Sequence, residues 1–261
     1  MKTIRNGALL IVLSFICAAQ AQEGGCDAVG TVAFICGPQN AEDLVAVPET
    51  GWIIASGMTP GAGLYLIDSS AATWSALAPR VGHDAAAFPG CATPPDSAAL
   101  ITHGLNLRAG GRGQSTLYVV AHGARESIEV YAVDAAGTRP SLTWKGCVPL
   151  PEGLAANSVA SFADGSLVAT VLFLPGKTFL DSVSKRPTGA VFEWSPGDSG
   201  FEMVRGTELP ANNGIAVSAD EREIYVASSG LQTIVAFSRG NPARQLRTTA
   251  PLPFTPANVH C

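Results

Sequence analysis

Five polar side chains recur at similar intervals along this sequence, and each opens a short apolar segment. Successive members lie 61, 54, 56 and 45 residues apart. They are Glu42, His103, Asn157, Asn213 and Asn258. A carboxylate together with amide oxygens is the donor set that a hard cation such as calcium prefers. A histidine among them suits the role of a general base, because its pKa lies near neutral pH.

The segments that must position these side chains are predicted to be short β-strands. Residues 209–239 give the clearest example, in which the apolar run 214–218 follows Asn213 and a turn follows at 219–222. Two further β-rich runs, 224–227 and 233–237, complete the group. Short runs of this kind, bounded by turn residues, are typical of an all-β fold.

The same pattern recurs upstream, and internal repetition of strand groups predicts a β-propeller. In a propeller the innermost strands line a central channel and begin at one end of it. One polar side chain from each blade would therefore gather around the axis. Residues 69–99 and 173–187 are predicted to be long loops between strands.

Residues 1–21 have the features of a secretory signal peptide. Lys2 and Arg5 precede the apolar stretch 8–19, and Ala19-Gln20-Ala21 is a cleavage motif. The apolar stretch is shorter than the about 20 residues that span a membrane, and no later stretch qualifies. We expect cleavage near Ala21 and secretion to the periplasm. A leader segment at 22–37 and a propeller domain at 38–261 would follow.

The predicted mature chain is acidic. Loss of the two basic residues of the signal peptide leaves 14 basic against 21 acidic residues, a net charge of −7. Together with the absence of a basic run in the sequence, this charge argues against a nucleic acid as partner.

Five cysteines would remain after cleavage, and an oxidising compartment would allow them to pair. No two of them have the CxxC spacing that is typical of metal or redox sites. Cys91–Cys147 is the favoured pair and Cys26–Cys36 the next, although the sequence alone leaves the pairing open. The odd number leaves one thiol over, for which Cys261 is the candidate.

Six short motifs resemble those of one known superfamily. In chain order they are AEDL at 41–44, THGL at 102–105, VVAHG at 119–123, NSV at 157–159, NNGI at 212–215 and PANV at 256–259. Their order and spacing resemble those of the SMP-30/gluconolactonase and paraoxonase/arylesterase superfamily. Its members are six-bladed propellers that act as calcium-dependent lactonases and esterases. The resemblance covers about residues 35–261.

The resemblance implies a role for each matching residue. A second, structural calcium would be held by Asp43 with the backbone of Leu105 and Ser158. His103 and His122 would form a dyad in which His103 is the general base and His122 orients it. The implied reaction is hydrolysis of a small-molecule lactone or ester, with a catalytic calcium polarising the carbonyl. The implied ligands of that catalytic calcium are Glu42, Asn157, Asn213 and Asn258.

Two substitutions depart from the pattern of the superfamily. Ala257 replaces an aspartate expected beside Asn258, which leaves Glu42 as the one formal charge among the implied ligands. Ala121 stands where relatives often have an asparagine. The sequence also accommodates about four full blades and the start of a fifth. We therefore expect a propeller of the six-bladed type that is incomplete at its C-terminus. An open ring would expose sheet edges, so the alternative is that the protein closes in a different way.

Each candidate residue also has a purely structural interpretation. Glu42 and Asp43 could form an ordinary turn, His103 could pack in the channel, and His122 could end a strand. The asparagines could cap turns through bonds to the backbone. Two other functions stay open, because propellers support many activities. One is a non-catalytic propeller that binds a small molecule or a protein, and the other is an inactive truncated fragment.

Overall fold

The computed structural model describes residues 26–260, in two compact units. The predicted signal peptide at 1–21 and Cys261 lie outside the described residues. In the first unit, which ends at Phe34, Val29 and Val32 exchange two backbone hydrogen bonds across a short turn. The second unit, Ile35–Cys261, holds the sheets described below.

Four sheets follow one another along the second unit, and in each sheet the innermost strand lies at one edge. The first consists of β1 (Ala41–Ala46), β2 (Trp52–Gly57), β3 (Leu64–Asp68) and β4 (Thr73–Ala76). The second consists of β5 (Arg80–Val81), β6 (Ile101–Gly111), β7 (Gln114–His122), β8 (Ser127–Asp134) and β9 (Ser141–Pro149). The third consists of β10 (Ala156–Ser161), β11 (Leu167–Val171), β12 (Gly189–Trp194) and β13 (Glu202–Leu209). The fourth consists of β14 (Asn212–Val217), β15 (Glu223–Ser228), β16 (Thr233–Ser238) and β17 (Gln245–Thr248).

Neighbouring strands pair antiparallel in sequence order, except that β5 adds in parallel to β9. The inner strands contact one another in the order β1, β6, β10 and β14. All four line one central cavity of about 560 Å³. The predicted all-β propeller is therefore confirmed as an arrangement of four blades, while the six-bladed type stays a prediction.

The hydrophobic core lies between consecutive blades. Ile54 and Leu66 of the first blade pack with Tyr131 and Trp144 of the second. Equivalent clusters join the second blade to the third and the third to the fourth. Middle strands are covered on both faces, and all five residues of β11 are buried. This is why their sequences are apolar throughout rather than alternating.

Two predicted loops contain regular structure. The segment 69–99 holds β4 and β5, and the segment 173–187 holds a five-residue helix, α1 (Phe179–Val183). The outermost strands β4 and β17 have four residues each and are largely solvent-exposed, so they are too short for periodicity to identify them as strands. Within residues 26–260 no helix is long and apolar enough to cross a membrane.

The predicted Cys91–Cys147 disulfide is confirmed, with Cα atoms 5.5 Å apart. It joins the long connection after β5 to strand β9 within the second blade. Both cysteines are buried in the core between the first two blades. The bridge thus anchors a connection that would otherwise hold little regular structure, and it closes a loop of 56 residues in sequence.

Residues 256–260 run between the fourth blade and the first. The amide of Gly214 donates to the carbonyl of Ala257 at 2.9 Å, on the fourth blade. On the first blade, Nδ2 of Asn258 donates to the carbonyl of Glu42 at 3.0 Å. No strand follows Thr248 within the described residues, so the fifth blade predicted to begin here has not formed a strand.

Two glycines should not tolerate a side chain where inner segments approach each other. A Cβ on Gly104 would lie 2.6 Å from the carbonyl oxygen of Asn157, and one on Gly214 would lie 2.2 Å from that of Ala257. We expect Gly104→Ala and Gly214→Ala each to lower the free energy of unfolding by about 1–3 kcal/mol, because backbone must move. Urea denaturation measures this.

The matched control is Gly137→Ala, whose Cβ would meet nothing within 4 Å. It should change the free energy of unfolding by less than about 0.5 kcal/mol. Equal effects of all three substitutions would contradict the close approach of these segments.

Candidate metal and histidine site

The polar residues predicted from the sequence lie at one end of the channel because each inner strand carries a β-bulge at its start. The register shifts between Ala41 and Leu44 in β1, and at the corresponding place in the other three inner strands. A bulge places two residues opposite one on the partner strand and re-aims a side chain. The bulged pairs are Glu42-Asp43, His103-Gly104, Asn157-Ser158 and Asn213-Gly214.

The bulges free backbone amides, and specific groups accept their hydrogen bonds. The amide of Asp43 donates to Oγ of Ser56 at 2.9 Å, and that of Ser158 to Oγ1 of Thr170 at 3.1 Å. Both acceptors lie on the second strand of the same blade. The Thr170 hydroxyl in turn donates to the carbonyl of Asn213 on the next blade. Buried amides need such partners, so these hydroxyls stabilise the bulged conformation.

Four of the five predicted polar residues have a buried side-chain oxygen without a hydrogen-bond partner. Five such atoms occur among residues 26–260. Four of them are Oε2 of Glu42 and Oδ1 of Asn157, Asn213 and Asn258, and the fifth is Oγ1 of Thr233. An unsatisfied buried polar atom costs about 1–3 kcal/mol. The unsatisfied oxygens therefore coincide with the donor set predicted for a cation.

The amide nitrogens of two of these asparagines are held by the protein. Nδ2 of Asn258 lies 3.0 Å from the carbonyl of Glu42 and 3.3 Å from its Oε1. Nδ2 of Asn213 donates to Oγ of Ser229 at 3.0 Å, and that hydroxyl donates to the carbonyl of Pro256 at 2.8 Å. With both nitrogens occupied in this way, the Oδ1 atoms are left as the free acceptors.

The donor set at this end of the channel is weakly charged. Within residues 26–260, no group of three or more histidine, cysteine, aspartate or glutamate side chains could hold a metal ion. A cation here would rely on the Glu42 carboxylate and on neutral amide oxygens. Such oxygens fit calcium or another hard cation, whereas zinc and copper prefer nitrogen and sulfur ligands.

His103 and His122 form the predicted pair. They lie on neighbouring strands β6 and β7, with Nδ1 of His103 3.1 Å from Nε2 of His122. His103 is buried, and its Nε2 lies 3.5 Å from Oε1 of Glu42. The outer nitrogen of His122, Nδ1, lies 2.6 Å from Oε2 of Glu126. The two imidazoles thus connect the carboxylate of Glu126 to the carboxylate of Glu42.

Asp43 is held by three hydrogen-bond donors. The amides of Leu44 and Leu105 donate to it at 2.8 and 2.7 Å, and Nε2 of His260 lies 2.7 Å from its Oδ1. Leu105 therefore presents an N–H to this carboxylate, and the Ser158 amide is bonded to Thr170. The second calcium predicted at Asp43 stays a prediction.

The environment of His260 favours its charged form. The hydrogen bond to Asp43 raises the pKa of His260; burial opposes this, and the charges of Asp43 and Glu42 reinforce it. Asp43 itself is only 2% exposed. When protonated, the His260 ring supplies the buried carboxylate with a counter-charge.

Glu126 and His260 are the residues that sequence reasoning missed. Glu126 follows His122 by four positions, and this spacing across a turn between strands is not a recognisable signal. His260 lies 217 residues from Asp43, the residue it contacts. Neither contact could be inferred without the arrangement of the blades.

The central cavity continues from this site along the same strands. Its walls include Leu44, Asn106, Ser161 and Ile215, which follow the site residues by two to four positions. His260 also lines it. The candidate site therefore borders a cavity that is lined by the inner strands of all four blades.

His260→Gln should destabilise the protein in a pH-dependent way. A folded-state pKa above the unfolded value, about 6.5, means that the contribution is complete below that value and is lost as pH rises through the folded pKa. We expect about 1 kcal/mol below pH 6.5, less than the usual charged hydrogen bond because the His260 side chain is 42% exposed. Thermal unfolding between pH 5.5 and 9 in chelator measures it.

The control is His83→Gln, because His83 lies 3.3 Å from the backbone carbonyl of Phe88 and has no carboxylate in that contact. Its effect should not vary in the same way with pH. A His260→Gln effect that grows as pH rises would contradict the ion pair with Asp43.

Comparison of the chain with protein-family models and with curated proteins found no match. Among solved structures, a luciferin-regenerating enzyme is 12% identical over 80% of this chain and 61% of its own, with a TM-score of 0.47. The calcium-binding protein regucalcin from Agrobacterium tumefaciens is 10% identical over 79% and 56%, with a TM-score of 0.46. The periplasmic gluconolactonase of Pseudomonas aeruginosa is 12% identical over 82% and 71%, with a TM-score of 0.40. The chain spans about three fifths of the length of the first two.

Proposed function

We propose that this protein is a calcium-dependent hydrolase of lactones or esters whose active site is the bulged end of the channel. The observation that carries the proposal is the set of four buried oxygens without partners, on Glu42, Asn157, Asn213 and Asn258. Leaving these atoms unsatisfied is costly, and a hard cation would satisfy all four at once.

The proposed cation is calcium because every donor is an oxygen and one carries a charge. Calcium accepts several carboxylate and amide oxygens in a flexible geometry. With Glu42 as the one carboxylate, the affinity should be lower than that of sites built from several carboxylates. A calcium bound here would polarise the carbonyl of a lactone or ester and stabilise the oxyanion.

His103 is the proposed general base. Its Nδ1 is engaged with His122, so Nε2 is the nitrogen that remains to accept a proton from water. Nε2 also faces Glu42, 3.5 Å from its Oε1, which puts the base beside the proposed cation ligands. His122 holds the ring of His103 in this orientation and receives its own support from Glu126.

A propeller that binds calcium and a small molecule without turnover would use the same oxygens. The histidine pair favours hydrolysis over binding alone, because a buried imidazole with one nitrogen held and the other turned to the cation ligands is the arrangement that a general base requires. Calcium binding and substrate turnover can therefore be tested separately.

Calcium should stabilise the protein through the four orphaned oxygens. At 100 times the dissociation constant, binding adds about 2.7 kcal/mol, which raises Tm by roughly 5–10 °C. Asn157→Ala should lose most of this rise and melt close to the parent protein in chelator, because its Oδ1 has no hydrogen-bond partner to lose. Thermal melts over a calcium titration measure both quantities.

Thr233→Val is the matched control, since it removes the remaining buried oxygen without a partner, on the third strand of the fourth blade. It should leave the calcium response unchanged. A calcium response that Asn157→Ala retains in full would argue against this cation site.

His103→Gln should lower kcat for lactone or ester hydrolysis by about 10²- to 10⁴-fold, the usual contribution of a general base. Its calcium-dependent rise in Tm should persist, because the four oxygens remain. Hydrolysis assays with and without chelator, on a panel of lactones and aryl esters, provide the measurement. A normal calcium response with no turnover by the parent protein would instead support the binding propeller.

A further inference from the structure

Glu126 ends the turn between β7 and β8, next to the histidine pair. Its carboxylate oxygen Oε2 lies 2.6 Å from Nδ1 of His122. The backbone carbonyl of Glu126 accepts from the amide of Leu150 at 3.0 Å, which fixes the turn against β9. The side chain is 39% exposed, so solvent reaches this end of the chain of contacts while His103 at the other end is buried.

Arg125, the basic residue nearest in sequence, does not bind the carboxylate of Glu126. Nε and Nη2 of Arg125 bind the two oxygens of the buried Glu129 at 2.7 and 2.9 Å. Its Nη1 donates to the carbonyl of Thr93 at 2.9 Å. Arg125 therefore supports the second blade, and Glu126 is left to accept from His122.

Two carboxylates favour opposite directions for these contacts, and Glu126, 2.6 Å from Nδ1 of His122, should outweigh Glu42, which lies 3.5 Å from Nε2 of His103. An ionised carboxylate only accepts hydrogen bonds, so Nδ1 of His122 must carry the proton. A neutral His122 then presents a lone pair at Nε2, which needs a donor. Nδ1–H of His103 supplies it at 3.1 Å. Neutral His103 is consequently left with its lone pair on Nε2, facing Glu42.

Without the Glu126 carboxylate the opposite direction would be favoured, because Oε1 of Glu42, 3.5 Å from Nε2 of His103, can only accept a hydrogen bond. His122 could donate from Nε2 to Nδ1 of His103, and His103 would then carry its proton on Nε2. In that tautomer the nitrogen facing the donor set could not accept a proton from water. The contact between Glu126 and His122 thus determines whether Nε2 of His103 can act as a base.

We propose that Glu126 is a positioning residue that fixes the tautomers of His122 and His103, so that Nε2 of His103 is the free base. The catalytic meaning of this inference rests on the proposed hydrolysis. The tautomers themselves do not, and they are measurable in protein without calcium or substrate.

The experiment is a long-range ¹H–¹⁵N correlation spectrum of the purified protein labelled with ¹⁵N-histidine. We choose chelator and about pH 8.5, where ordinary imidazoles are neutral. The sequence has four histidines, so single His→Gln variants suffice to assign the signals. We expect the Nδ1–H tautomer for both His103 and His122. An Nε2–H tautomer for either residue in the parent protein overturns the proposal.

Three variants separate the carboxylate contact from general disturbance. Glu126→Ala should shift His122 and His103 towards the Nε2–H tautomer, whereas Glu126→Gln, which can still accept through Oε1, should retain Nδ1–H. Glu202→Ala removes an exposed carboxylate of β13 and should change neither residue. Tautomers that are unaltered in Glu126→Ala, or altered equally in Glu202→Ala, contradict the role of Glu126.

Kinetics then connect the tautomer to the proposed reaction. In protein that hydrolyses a lactone or ester, Glu126→Ala should lower kcat about 10- to 100-fold with little change in KM, and Glu126→Gln should restore most of it. A parent protein without turnover would remove the proposed hydrolysis but leave the spectroscopic result intact, so the two failures are distinguishable. Unchanged kcat in Glu126→Ala, in an active enzyme, would overturn the positioning role.

Discussion

The β-bulge at the start of every inner strand is the constraint on which the rest of the site depends. It places two residues opposite one, so that a polar side chain can leave the regular alternation of the strand and reach the axis. The same irregularity frees backbone amides, whose hydrogen bonds the hydroxyl oxygens of Ser56 and Thr170 accept. Where the bulge of β6 meets β10, the space admits only the glycine at 104. The position of the site, the partners of the freed backbone amides and the spacing between the blades therefore all follow from the bulge.

This geometry concentrates polar groups at one end of the channel. The packing between blades is apolar and supplies the stability, whereas the axis holds a carboxylate, amides and imidazoles with few partners. Asp43 is satisfied by two amides and His260, but Oε2 of Glu42 is not satisfied by any group. A protein that keeps such atoms unsatisfied loses stability that an apolar channel would have kept. The difference between these two neighbouring carboxylates is what points to a function at Glu42.

The sequence predicted the strands near the axis well, because buried segments between turn residues have an unmistakable composition. It also predicted which polar residues open them. The edge strands β4 and β17 escaped prediction because each has only four residues, nearly all of them exposed to solvent. The bulges could not be predicted, since one extra residue in a strand leaves no trace in composition. Glu126 and His260 depend on how a turn and a distant segment are arranged, which no local pattern encodes.

The contacts of residues 256–260 have a consequence for how the molecule forms. Asn258 meets Glu42 across 216 positions and His260 meets Asp43 across 217, whereas each blade is built from strands adjacent in sequence. Local contacts form early, and contacts between distant positions carry a larger loop-closure entropy and slow the folding rate. We therefore expect the blades to form before the contacts that residues 256–260 make with the first blade. The polar end of the channel, and with it any affinity for a cation, would then be completed only after the blades have packed against one another.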